Sequence, residues 1–133
     1  MFDMSLGKYI ICVVAILCCV GCTSERNKAE KTAKDFLETY LKDNDIAHFK
    51  SSDIDSTTFV TDSMIAVMKD VAAASDLFNG QMEYGTRAER NKLFFINARY
   101  DASDGNKRKH TFYMNRSLDA VVCLKDDTPM IVE

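Results

Sequence analysis

The stretch that decides the fold is Lys92–Tyr100, KLFFINARY, which is followed a few residues later by the dipeptide Asp104-Gly105. Every second residue of this stretch is suited to one buried face of a strand: Phe94, Ile96, Ala98 and Tyr100. Leu93 and Phe95 alternate with them, which predicts a central strand that is covered on both faces. Because Asp-Gly is typical of tight hairpin turns, the stretch is expected to form the first arm of a hairpin.

The return arm is predicted at Lys107–Asn115, with one face formed by Arg108, His110, Phe112 and Met114. A turn at Arg116–Asp119 then leads to a further strand at Ala120–Lys125. On the N-terminal side of the hairpin, we expect Gln81–Glu89 to be the first strand of the sheet. The pattern therefore predicts a four-stranded antiparallel meander.

Two helices are expected before the sheet. Asn27 and Glu30 have the spacing of a capping box, and apolar residues follow at helical intervals: Ala29, Ala33, Phe36, Leu37, Tyr40 and Leu41. This helix should end near Asp43-Asn44, and we expect one helical turn at 46–49 and then a polar loop, SSDIDSTT. Helices that precede a meander predict an α+β domain over residues 28–133, with the helices packed on one face of a curved sheet.

The second helix is predicted at Thr61–Ser75, with Thr61 or Asp62 as its N-cap and a turn at Asn79-Gly80. One set of its apolar residues is spaced to share a face: Val60, Met64, Val67, Met68, Val71 and Ala72. We expect this face to pack against the sheet.

The first residues differ sharply from the rest. Lys8 precedes an apolar run, Tyr9–Val20, that as a helix would be about 18 Å long and so too short for a bilayer core of roughly 30 Å. A short apolar run after a basic residue is typical of a signal peptide, here residues 1–21. Val20-Gly21-Cys22 resembles the lipobox of bacterial lipoproteins, with Cys19 where that pattern prefers leucine.

That resemblance implies cleavage before Cys22 and attachment of lipid, including an acyl chain such as palmitate, to its sulfur. Residues 22–27 would then be a lipidated tether, and several acyl chains would hold the domain on a membrane. Thr23 stands where an inner-membrane retention signal would have aspartate, which favours the outer membrane of the cell envelope. Cleavage also removes Cys12, Cys18 and Cys19, so Cys123 is left as the one free thiol, and we expect it to be buried in a strand.

The stretch AEKTAKDFLETYLKDNDIAHF, residues 29–49, looks like the opening of small lipoproteins from gut Gram-negative anaerobes that have a cystatin-like domain, also called nuclear transport factor two-like. This resemblance implies a helix held by a curved sheet, whose cavity can take a small apolar ligand. Members of that class include both enzymes and binding modules.

His110 is the candidate for catalysis, as a general base paired with Asp101 and oriented by Tyr100 or Tyr113. The plainer alternative is a half-exposed strand residue in a basic patch. His48 is expected near a helix end. The two histidines lack the spacing of a metal site, and no phosphate-loop or cofactor motif is present, so we expect no metal or cofactor. The net charge of −3 argues against nucleic acid as a partner.

Asp55-Ser56-Thr57 and Asp62-Ser63-Met64 look like the Asp-Ser/Thr-apolar motif for O-glycosylation in those anaerobes, which makes Ser56 and Ser63 candidate modification sites.

Three functions stay open. The first is a non-enzymatic, lipid-anchored domain that binds an envelope protein or a small apolar ligand. The second is a small pocket enzyme that uses His110. The third is an inhibitor or immunity-like protein that makes contact through the hairpin turn at Asp101–Lys109.

Overall fold

The structure is a computed structural model that describes residues 24–87 and 92–128. These residues form an α+β fold with two helices and one antiparallel sheet of five strands. The α+β class is confirmed, whereas the sheet has one strand more than the four that we expected. The predicted signal peptide and Cys22 lie outside the described residues.

The sheet has β3 at its centre, as the alternation in Lys92–Tyr100 predicted. The strand bounds in chain order are β1 Ala47–Ser51, β2 Asp55–Thr57, β3 Leu93–Asp101, β4 Lys107–Met114 and β5 Val121–Asp126. The order across the sheet is β1-β3-β4-β5, and β2 also pairs with β3. The β3–β4 turn contains Gly105 at φ 84°, where glycine avoids the steric cost that other residues incur. The hairpin prediction is therefore confirmed.

The start of the sheet was predicted wrongly. β1 and β2 occupy the segment for which we expected a helical turn and a loop. Most side chains in these two short strands are exposed, and the β1–β3 register shifts beside His48, which has φ 56°. Without a buried face and a regular register, the strands leave no alternating apolar pattern in the sequence.

The expected first strand, Gln81–Glu89, is also a correction, because residues 81–87 contain no strand. This segment reaches the sheet through the Gly85 N–H, which donates to the Val121 carbonyl at 2.9 Å. A Cβ on Gly85 would lie 2.6 Å from the Cβ of Ala120, so only glycine allows this close approach.

The first helix, α1, includes residues 24–40, so it begins before Asn27 and ends before Asp43-Asn44. Residues 24–27, expected to be a tether, are helical. Arg26 explains the early start, because its guanidinium contacts the carboxylates of Glu30 and Asp53 at 3.2 Å each and donates to the Ser51 carbonyl at 3.0 Å. These contacts hold the first described turn of α1 against the segment that joins β1 and β2.

The core consists of two clusters. In the first, α1 packs on one sheet face, and the large members from the sheet include Ile96, Tyr100, Phe112 and Met114. The second contains Val60, Ile65, Leu93, Val122 and Cys123. The second helix, α2 (Asp62–Ala74), contributes Ala72 to the first cluster and Ile65 to the second.

Helix α2 thus crosses the edge strand β5 rather than lying beside α1 on one face, which corrects our expectation. The predicted N-cap is confirmed, because the Thr61 hydroxyl accepts from the Met64 N–H at 3.2 Å. No helix in the described part of the chain is both long and apolar enough to cross a membrane.

Candidate functional site

His110 lies inside the core. The alternation of β4 places it on the α1 face of the sheet with Phe112 and Met114, and its exposed fraction is 0%. Its Nε2 lies 2.8 Å from the Tyr100 hydroxyl oxygen, and the two rings are stacked with centroids 5.5 Å apart. Phe78 and Phe112 pack against other sides of the imidazole. The expectation of a half-exposed residue in a basic patch is therefore wrong.

The electrostatics around His110 favour the neutral ring. Burial lowers the pKa of His110 to about 4, although the nearby carboxylates of Asp126 and Asp127 act in the opposite direction. Nδ1 lies 3.7 Å from an Asp126 oxygen and has no hydrogen-bond partner among the described residues. A neutral ring with its proton on Nδ1, toward Asp126, accepts the Tyr100 O–H at Nε2.

The other residues of the predicted catalytic group do not meet His110. Asp101, its expected partner, instead lies 2.9 Å from Nδ1 of the exposed His48 at the far edge of the sheet. Tyr113 is on the opposite sheet face, where its ring packs against Phe95. Only Tyr100 is brought to His110, and burial raises the pKa of its hydroxyl well above the usual value. The buried Tyr100–His110 pair is therefore a contact within the core, and it contains no base that is accessible to solvent.

Cys123 is a free, buried thiol in β5, as predicted. Burial raises its pKa to about 11, more than the neighbouring Lys69 and Arg87 lower it. Because the thiolate is the reactive form, this thiol is unsuited to nucleophilic chemistry at neutral pH.

A cleft of about 420 Å³ lies between α1 and the 81–87 segment. Three aromatic rings and three carboxylates line it: Phe36, Tyr40, Tyr84, Asp35, Glu83 and Asp119. Several of its polar groups already have partners within the chain. Asp119 accepts from the side chains of Asn115 and Ser117, and the Tyr40 hydroxyl accepts from the backbone of Glu83. Asp119 and the Tyr40 hydroxyl are therefore already engaged within the chain.

A second cavity, the α2 groove, is a mainly apolar space of about 430 Å³ between α2 and the end of β5. Val67, Met68, Val71 and Ala74 form its helical wall, and Phe78 and Leu124 face them. Lys125 and Asp126 stand at its rim. The groove brings residues 67–78 against residues 124–126, which are distant in sequence, so no local pattern predicts it.

The groove continues into a band of exposed apolar side chains, which we call the α2 face: Met64, Val67, Val71 and Ala74. Their spacing of three, four and three residues gives a stripe about 15 Å long on one side of the helix. Val67 and Val71 are 59% and 58% exposed, and Met64 is 45% exposed. The prediction that Met64, Val67 and Val71 pack in the core is wrong, since Ile65 and Ala72 are the buried residues of α2.

An exposed stripe of this kind can bind an apolar surface. Single exposed apolar residues are common on proteins, whereas a contiguous patch that runs along a helix and into a groove makes this surface the candidate interaction site. The side chains of α2 are apolar on most of its circumference, a property typical of helices that become covered on all sides.

The modification candidates can be placed in part. Ser56 and Ser63 are both exposed, so the predicted glycosylation sites are accessible and stay predictions. Cys22 lies outside the described residues, and its lipidation also stays a prediction. Within residues 24–87 and 92–128, no group of three or more His, Cys, Asp or Glu side chains is arranged to hold a metal ion.

Comparisons of the chain with protein-family models, with curated proteins and with solved structures give no match. The candidate site is therefore defined by its own geometry.

Proposed function

We propose that this chain is a lipid-anchored protein of the cell envelope, placed in the outer membrane, whose domain binds a partner and performs no catalysis. The observation that carries the binding role is the α2 face, where three large aliphatic side chains are exposed next to an apolar groove. The lipobox-like Val20-Gly21-Cys22 after an apolar run supports the anchor. As part of this proposal, the arrangement of α1 against an antiparallel sheet supports a cystatin-like domain.

The two alternatives have weaker support. A pocket enzyme would need His110 to reach a substrate, yet its ring is buried and its Nε2 is occupied by Tyr100. An inhibitor that used the hairpin turn would present Asp104, whose carboxylate is already held by Asn106 and lies 3.6 Å from Arg108. Neither feature offers a free surface comparable to the α2 face.

Replacing Cys22 with serine, in a chain whose residues 1–21 are exchanged for a leader that is cleaved without lipidation, is expected to release the protein from the membrane fraction of the cells that make it. The native chain should have the mass of a protein that starts at Cys22 and carries a diacylglyceryl group and a further acyl chain. Serine has no thiol to accept the lipid, and a protein without these acyl chains has almost no affinity for the membrane. The measurement is cell fractionation followed by intact-mass spectrometry.

Cys123→Ser is the matched control, because Cys123 is buried and should not affect fractionation. A native chain whose mass shows an unmodified Cys22, or a Cys22→Ser chain that has lost its leader and still stays with the membranes, would contradict the lipid anchor.

A further inference from the structure

We infer that the α2 face is the docking surface for an amphipathic helix of a partner protein, with lysine or arginine along the borders of the partner's apolar stripe. The inference rests on the proposed function only in taking the domain to be a binding domain. It does not depend on the lipid at Cys22.

The shape of the surface favours a helix as its occupant. The α2 face is a straight ridge, and the α2 groove runs beside it with Phe78 and Leu124 as its far wall. A helix that packs at the usual 8–10 Å from α2 would insert side chains at i, i+3 or i+4 and i+7 into this groove. The stripe of about 15 Å matches roughly three turns of such a helix.

The charges beside the face favour basic borders on that helix. Asp70 and Asp76 are exposed next to the stripe, and neither makes an ion pair in the described part of the chain. The nearby cations are already engaged, since Lys69 lies over the Tyr84 ring at 5.0 Å and Lys125 is 3.6 Å from Asp127. Both lysines keep their charge, but the carboxylates near the stripe outnumber them: Asp70, Asp76, Asp126 and Asp127. The surface is therefore acidic, and complementary charge on a partner improves encounter and register.

The same charges disfavour two other occupants. Asp70 lies near the centre of α2. In a symmetric antiparallel pair of α2 helices, the Asp70 carboxylates of the two copies would therefore lie close together and repel each other. A lipid surface would remove water from Asp70 and Asp76 without giving them a partner, which is costly. A basic, helical protein segment satisfies both the apolar stripe and the carboxylates.

The test uses a synthetic amphipathic helix with a leucine stripe, one tryptophan in that stripe and lysine along both borders. Because this chain contains no tryptophan, the emission of the peptide reports its burial directly. The full chain is held in phosphatidylcholine nanodiscs, or free in solution if Cys22 carries no lipid, and the signal of empty nanodiscs is subtracted. A second peptide with glutamate in place of each lysine is the charge control.

We expect the lysine peptide to bind about tenfold more tightly than the glutamate peptide. Val67→Asp should weaken binding of the lysine peptide at least tenfold, as the loss of a central interface residue does. Asp70→Asn should lower the ratio of lysine-peptide to glutamate-peptide affinity several-fold. Ala47→Asp, which places the same charge on the exposed β1 edge, is the matched control and should leave binding unchanged. Val67 is largely exposed, so its variant should keep the native unfolding midpoint.

No binding of either peptide, or equal binding of both, would overturn the inference. A Val67→Cys chain distinguishes the other occupants. Disulfide-linked pairs would indicate a second copy, and quenching of a bimane label there by brominated lipid would indicate the membrane surface. Either result overturns the inference. Peptide binding by a chain without lipid on Cys22 would leave the inference standing while the anchor fails.

Discussion

Lowering the pH from 7 to 4.5 is expected to reduce the free energy of unfolding by about 2 kcal/mol through His110 alone. Burial lowers the pKa of this imidazole to about 4, from about 6.5 for a histidine in an unfolded chain. Between these two values the unfolded chain binds a proton that the folded chain does not bind. Stability from this residue is therefore complete above pH 6.5 and is lost as the pH falls toward 4.

The measurement is urea unfolding at several pH values from 7 to 4.5, with the native chain and with His110→Gln. The variant should be less stable at pH 7, because it loses ring packing with Tyr100 and Phe78, but its stability should change much less with pH. The carboxyls of Asp104 and Asp119 have lowered pKa values, so they affect stability mainly below this range.

His48→Gln is the control for the His110 prediction. His48 is exposed, so this replacement should leave the loss of stability in acid unchanged. An equal dependence on pH in the native chain and in His110→Gln would show that His110 is not held neutral in the core.

Phe112→Ala is expected to lower the free energy of unfolding by about 4 kcal/mol, the largest effect of any single change considered for the core. Phe112 is fully buried on β4 and contacts the rings of Phe36 and His110 at centroid distances of 6.2 and 6.0 Å. Its removal leaves a cavity where α1 meets the centre of the sheet, and the first core cluster cannot fill that space without moving the helix.

Phe59→Ala is the matched control, because the same atoms are removed from a side chain that is 85% exposed. Its effect on the free energy of unfolding should stay within about 0.5 kcal/mol. Similar losses at the two positions, measured by urea unfolding at pH 7, would contradict the assignment of Phe112 to the core.

The elements with a strong local pattern could be predicted from the sequence. The β3–β4 hairpin was predicted because its strands alternate and Asp104-Gly105 is typical of a hairpin turn, and the structure has Gly105 at positive φ. β1 and β2 were missed because they are short, mostly exposed and interrupted beside His48. These strands form only because they pair with β3, which is distant in sequence, and a local sequence pattern does not predict such pairing.

Helix α2 shows a different limit. Its bounds and its N-cap followed from local signals, but its buried face did not, because apolar residues occupy both sides of the helix. Ala72 was predicted on the buried face and is buried, but Ile65, which was not predicted there, is buried as well, and Met64, Val67 and Val71 are exposed. Tertiary geometry decided which stripe was covered.

The predicted site failed for a similar reason. Tyr100 or Tyr113 was expected to orient His110, and the structure shows that Tyr100 is the one in contact with the ring. The exposure of the His110 ring to solvent depends on Phe78, which packs against it. Phe78 follows α2 in the chain, so its position could not be inferred from the pattern of β4. The residue that was the best candidate for catalysis became a core residue, and a stripe expected in the core became the candidate binding surface.

The most direct test of this account measures whether the α2 face is covered in the native envelope. Val67→Cys and Ala47→Cys chains are labelled with a maleimide reagent in intact envelopes and again after purification, and the modified peptides are quantified by mass spectrometry. We predict that position 67 is protected in the envelope and reacts after purification, whereas position 47 reacts equally in both. Equal and rapid labelling of position 67 in both settings would contradict the claim that this surface binds a partner.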